Sequence, residues 1–194
     1  MNRFEAERRL KVYLKSHFIN YTYDIDNGVP RYTLVSYGYD SAPNKAIETC
    51  IWLYSEECEV RSYYAQNAAE WCNERKEQLP RLMMLLNYIN AVVWMSSSDG
   101  INGVLYQPHY LYTARFYITE DNCYDITMTT VIPYDFYELA PLETEDYITA
   151  FCPELLAKLA PAIYGLLFGI VDIESAKQYI RVNVLEKKDE CSYD

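Results

Sequence analysis

Apolar residues recur at helical spacing over residues 4 to 18, where Phe4, Leu10, Leu14 and Phe18 are read as one stripe with Val12 and Tyr13 beside it. At Tyr21 the texture changes. Tyr21 to Ile25 is rich in β-formers and runs into Asp26-Asn27-Gly28, a sequence suited to a tight hairpin turn. Arg31 to Tyr39 reads as the returning strand, with Tyr32 and Leu34 on one face and Thr33, Val35 and Tyr37 on the other. After the turn cluster Asp40-Ser41-Ala42-Pro43-Asn44, Ala46 to Tyr54 alternates Ile47, Ile51 and Leu53 against Glu48, Cys50, Trp52 and Tyr54. Glu59 to Ala65 then continues an antiparallel meander.

Residues 67 to 78 are polar and expected to be helical. Pro80 suits the first turn of the next helix, whose stripe is Leu82, Leu85, Leu86, Ile89 and Val93. Ser96 to Gly103 stops that helix, and about 96–110 reads as a loop insertion. Tyr112 to Thr119 and Tyr124 to Ile132 form a strand pair around Glu120-Asp121-Asn122, ended by Pro133. Thr144 is placed to cap a short helix reaching Phe151, and Pro153 to open a longer one. Pro161 is expected to kink or break that helix, and Asp172 to cap a last one through Tyr179.

Helices and strands therefore come in runs. That order predicts an α+β fold, an antiparallel β-meander sheet packed with helices in the order α-β-β-β-β-α-β-β-α. The 194 residues fit a single domain over 1–182 with the loop insertion, followed by a polar tail over 183–194. With 51% apolar and 23% charged residues the chain is not disordered. Its most apolar run, Leu159 to Val171, is shorter than the ~20 residues of a membrane span. It also holds Pro161, Gly165 and Gly169, and reads as a buried core helix.

Charge narrows the partners. Lys plus Arg is 17 and Asp plus Glu is 28, so the net charge is 17 − 28 = −11. That charge rules against nucleic acid as the main partner, since phosphate neutralisation needs clustered cations, and argues against docking on an anionic membrane. The distribution is uneven. The first helix carries five bases and two acids, whereas residues 97 to 152 carry nine acids and one base, a net of −8. That stretch reads either as an acidic face for a basic partner or as a solubility device. The first residues are charged with no apolar stretch behind them, so no secretory signal is expected. The six cysteines, Cys50, Cys58, Cys72, Cys123, Cys152 and Cys191, are then expected as reduced thiols in the cytoplasm.

Two local patterns add a resemblance. The long helix carries Leu86-Asn87-Tyr88-Ile89-Asn90-Ala91, and the strand pair after it reads Arg115-Phe116-Tyr117-Ile118-Thr119 and Tyr124-Asp125-Ile126-Thr127-Met128. With the element order, these make the chain resemble the YbjN-like family, whose fold is shared with type III secretion chaperones. The resemblance spans about residues 5 to 171. The long loop, Pro161 and the extension beyond 171 depart from it. It implies a secretion chaperone-like fold, no catalysis, and a small acidic cytoplasmic protein of bacterial type. It further implies a homodimer that engages another protein, in the chaperones an extended segment.

Chemistry-bearing residues are sparse. The two histidines, His17 and His109, form no His-x-x-x-His, and no Cys-x-x-Cys, Gly-x-Ser-x-Gly or phosphate-cradling glycine motif occurs. No catalytic residue, metal or cofactor is expected. The acid pairs Asp24/Asp26 and Glu143/Glu145 read as solvated surface. Asn87 and Asn90 share a helix face, either to contact a partner or ligand or to fix the helix against a sheet edge or loop. The 21 tyrosines are the unusual feature. Tyr37, Tyr39, Tyr54, Tyr63 and Tyr64 fall on the meander with Trp52 between them, either as an interface or as residues favoured on a half-exposed sheet. The candidate contact residues are Tyr37, Tyr39, Trp52, Tyr54, Tyr64, Asn87 and Asn90. The expected function is a non-enzymatic, chaperone- or adaptor-like protein-interaction module. The alternative is a small-ligand-binding domain using an aromatic-rich sheet face or pocket.

Overall fold

Asn27 and Gly28 both adopt left-handed backbone, φ 51° and 83°, and this two-residue turn sets the register of the first hairpin. The computed structural model describes residues 1–65, 67–93, 114–119 and 124–185. Helix α1 (Arg3–Ser16) precedes the four-strand meander β1 (Tyr21–Asp26), β2 (Val29–Tyr37), β3 (Ala46–Leu53) and β4 (Glu57–Tyr64). Helices α2 (Asn67–Glu74) and α3 (Leu79–Val92), strands β5 (Arg115–Ile118) and β6 (Ile126–Pro133), and helices α4 (Tyr134–Leu139), α5 (Pro141–Asp146), α6 (Cys152–Leu167) and α7 (Ile173–Tyr179) complete the order. The strands form one antiparallel sheet, β1-β2-β3-β4-β6-β5, so the fold is α+β. The expected loop over about 96–110, the turn at Glu120-Asp121-Asn122, His109, Cys123, Cys191 and the tail from 186 lie outside the described residues.

One face of the sheet carries the core. Ile47, Ile51, Leu53, Cys58, Val60, Ile126, Met128 and Ile132 pack against Leu10 and Leu14 of α1, Leu82, Leu85 and Ile89 of α3, and Leu156, Leu159 and Ile163 of α6. The expected stripe of α3 is buried at Leu82, Leu85, Leu86 and Ile89, while Val93, just past the helix, is partly buried. The buried stripe of α1 is not the expected one: Phe4 and Phe18 are 70% and 91% exposed, and Ala6, Leu10, Tyr13 and Leu14 are buried instead. Each helical residue turns ~100°, so Phe4 and Leu10, six apart, lie on different faces. The core also reaches Leu185, inside the segment expected as a tail.

The C-terminal helices correct three expectations. Helix α4 was not foreseen. Thr144 caps nothing: it sits inside α5, where its hydroxyl donates to the Ala140 carbonyl at 2.7 Å. Pro153 lies in the first turn of α6, as expected, but Pro161 interrupts nothing, and the chain stays helical over Pro141–Leu167. A π turn at Tyr147–Phe151 comes just before Pro153, and the Cys152 N–H reaches back to the Tyr147 carbonyl. Pro161 cannot donate to the Ala157 carbonyl four residues back. Ser41 does so instead, its Oγ 2.7 Å from that oxygen, and Tyr64 Oη donates to the adjacent Leu156 carbonyl at 2.7 Å. Two hydroxyls from the sheet side thus satisfy the turn that Pro161 disturbs. This helix is long and apolar enough to cross a membrane, but 67% of its most apolar window is buried inside the fold, as a core helix is. Asp172 caps α7 as expected, accepting from the Ser175 N–H at 2.7 Å.

Candidate functional site

Strand alternation sorts the meander side chains onto two faces, and the register lines up those facing away from the helices. Asp24, Arg31, Trp52, Glu59 and Val131 form one row across five strands, and Thr33, Cys50, Arg61 and Thr129 form the next. The Trp52 ring lies between two guanidinium groups, Arg31 on β2 at 5.7 Å and Arg61 on β4 at 4.8 Å. Its Nε1 donates to Asp26 at 2.8 Å. Arg31 forks onto Asp24 at 2.9 and 2.5 Å and reaches Asp26 at 3.2 Å. That fork holds the Asp24 carboxyl below its ordinary value. Arg61 forks onto Glu59 at 2.8 and 3.1 Å, and Glu59 also accepts from Tyr54 and Thr129. Beside this ladder Tyr63 Oη donates to Glu48 and lies 3.3 Å from Cys50 Sγ. The helices reach the sheet on its other side, through Glu7 to Tyr32, Leu156 to Tyr64 and Tyr147 to Thr130. Among the described residues no helix crosses the outer face, and Val35, Tyr37 and Val131 on it are exposed.

The expected contact residues separate. Trp52 and Tyr54 belong to this face, and Tyr37 stands on it near one end, 76% exposed. Tyr64 does not: it points into the core, 2% exposed. Adjacent strand residues face opposite ways, so Tyr63 is the outer one of that pair. Tyr39 lies past β2, partly buried against the core. Burial pushes its hydroxyl pKa up. Asn87 is exposed on α3. Asn90 is engaged by the fold itself, its amide accepting from Phe116 N–H at 2.8 Å and donating to Phe116 C=O at 2.9 Å. Phe116 directs both groups away from β6, so the amide imitates a further strand and closes the β5 edge. Asn90→Ala should cost about 1–2 kcal/mol and speed hydrogen exchange at the Phe116 amide. Urea denaturation and exchange mass spectrometry read the two effects.

A concavity of about 530 Å³ lies between α1 and the α4–α5 segment, lined by Arg8, Arg9, Val12, Tyr13, Glu138 and Glu145 among others. Glu145 corrects the expectation of a solvated acid. It is 4% exposed, accepts from Tyr137 Oη at 2.9 Å and lies 3.5 Å from Arg9 Nε. Burial raises its carboxyl pKa, against the pull of Tyr137 and Arg9. The folded protein therefore keeps this proton at pH values where the unfolded chain has lost it. The resulting stability penalty grows as pH rises through that window and is complete above the folded pKa. Glu145→Gln does not titrate, so unfolding measured between about pH 4 and 7 should show the variant gaining on the wild type as pH rises.

The thiols are poor nucleophiles here. Burial pushes Cys58 up to about 12 and Cys72 up to about 11, and raises Cys50 and Cys152 as well, so all four stay protonated at neutral pH. Among the described residues no group of three or more His, Cys, Asp or Glu could hold a metal ion. His17 stacks on Tyr13 at 4.0 Å at the end of α1, on the helix side of the sheet. The sequence reading missed Arg31, Arg61, Asp26 and Glu59 as members of the ladder. The Asn27-Gly28 turn already places Arg31 opposite Asp24. No family model, curated protein or solved structure matches the chain.

Proposed function

We propose that this chain is a non-enzymatic protein-interaction module of chaperone- or adaptor-like kind, acting as a homodimer in the cytoplasm. The observation that carries the reading is the outer sheet face, free of helix cover among the described residues yet held by a ladder of paired charges around Trp52. Trp, Tyr and Arg are the residue types that dominate protein interfaces. Side chains already fixed by hydrogen bonds lose little entropy when a partner docks. A broad sheet face suits a polypeptide, including an extended segment, better than a small molecule, which needs concavity. The helix, four-strand meander, long helix and further strand pair are the order on which the YbjN-like resemblance rests.

A second reading, a small-ligand-binding domain, is favoured by the α1/α4–α5 groove, whose volume suits a ligand and whose base holds buried Glu145. A native mass spectrum of the untagged protein, taken from a lysate of its own host, separates the two. The module reading expects a dimer carrying additional polypeptide mass. A small added mass that survives purification favours the groove, and a bare monomer contradicts the module reading.

A further inference from the structure

The two edges of the sheet are treated differently. The β5 edge is closed by the Asn90 amide. Among the described residues the β1 edge has no such cover: Tyr23 and Ile25 are 47% and 56% exposed, and no proline interrupts Tyr21–Asp26. Two-residue turns of this type are closed by a hydrogen-bonded pair, here Asp26 and Val29. Bonded and non-bonded pairs then alternate. Thr22, Asp24 and Asp26 bond to β2, while Tyr21, Tyr23 and Ile25 direct their N–H and C=O groups off the sheet. An open edge with these groups unpaired is a template for another strand.

We propose that β1 pairs antiparallel with β1 of a second copy, centred on Tyr23. This deepens the homodimer reading above and rests on it. In that register Tyr23 faces its own copy and Tyr21 faces Ile25, so every outward backbone group finds a partner. On the outer face Asp24 meets Thr22, and Asp26 meets Asn20, with no like charges opposed. A shift of register by two residues either sets Asp24 against Asp24 or leaves Ile25 opposite Ile19, beyond the strand. Charge also selects the occupant. Asp24 and Asp26 are already engaged by Arg31 and the Trp52 Nε1, so a basic peptide would find no uncommitted carboxylate on this strand. The pairing extends one sheet through both copies and joins their outer faces.

The test is sedimentation of the full chain over a concentration series, beside Tyr23→Pro and Tyr23→Cys. The Tyr23 N–H points off the sheet, so proline there removes an intermolecular donor and leaves the β1–β2 bonds intact. The wild type should dimerise, and Tyr23→Pro should weaken the dimer by about tenfold or more while thermal unfolding at low concentration stays near wild type. Under mild oxidation Tyr23→Cys should crosslink to its own copy, whereas Asp26→Cys and the wild type should not. A dimer indifferent to Tyr23→Pro, with no Tyr23→Cys crosslink, overturns the β1 pairing and keeps the homodimer. A monomer throughout overturns both and leaves the edge to an extended segment of another protein.

Discussion

Trp52→Ala should lower the unfolding free energy by about 3 kcal/mol, the scale of removing a large buried aromatic. The ring is 9% exposed although no helix among the described residues covers it, and the Arg31 and Arg61 guanidinium groups lie 5.7 and 4.8 Å from it. Truncation removes that contact area and the Asp26 hydrogen bond together, and leaves two arginines facing a void. Trp52→Phe keeps a ring between the guanidinium groups and loses the Nε1 donor, so it should cost about half as much or less. Urea denaturation with an unchanged slope is the measurement, since only then is the difference one of stability alone.

The second large effect lies at Pro161. Ser41→Ala leaves the Ala157 carbonyl without its hydroxyl donor, and Tyr64→Phe removes the donor to Leu156 beside it. The double variant should lose about 2–4 kcal/mol, because an orphaned buried acceptor costs its full desolvation. Pro161→Ala restores a backbone N–H able to reach the Ala157 carbonyl. In that background Ser41→Ala should cost less, with a coupling on the order of 1 kcal/mol. Additive costs would mean that the Ser41 hydroxyl does not stand in for the donor that proline lacks.

Pro161 also marks where sequence reading loses its grip. A proline predicts a break from local chemistry, and the rescue comes from Ser41 in the β2–β3 connection and Tyr64 on β4, distant in sequence. The meander was legible because Asn27-Gly28 and a two-residue period carry their own geometry. Tyr64 is expected among the contact residues with the other meander tyrosines, yet strict alternation sets it on the face opposite Tyr63, in the core. The surroundings of Glu143 and Glu145 look exposed in the sequence, whereas Tyr137 and Arg9 of α1 engage Glu145 in the fold. Asn90 shows the opposite case. One of its two sequence readings was a contact to a sheet edge, and the Phe116 bonds are that contact.

The outer sheet face as a partner surface is the central claim. The most direct test places a photo-crosslinking amino acid at Val131, on that face and 47% exposed, and separately at Met84, 57% exposed on α3 outside it. Each protein is irradiated in a lysate of its own host, and the crosslinked species are identified by mass. The account predicts a covalent adduct with a second, distinct polypeptide from Val131 and none from Met84. No adduct from Val131, or equal adducts from both positions, would contradict it.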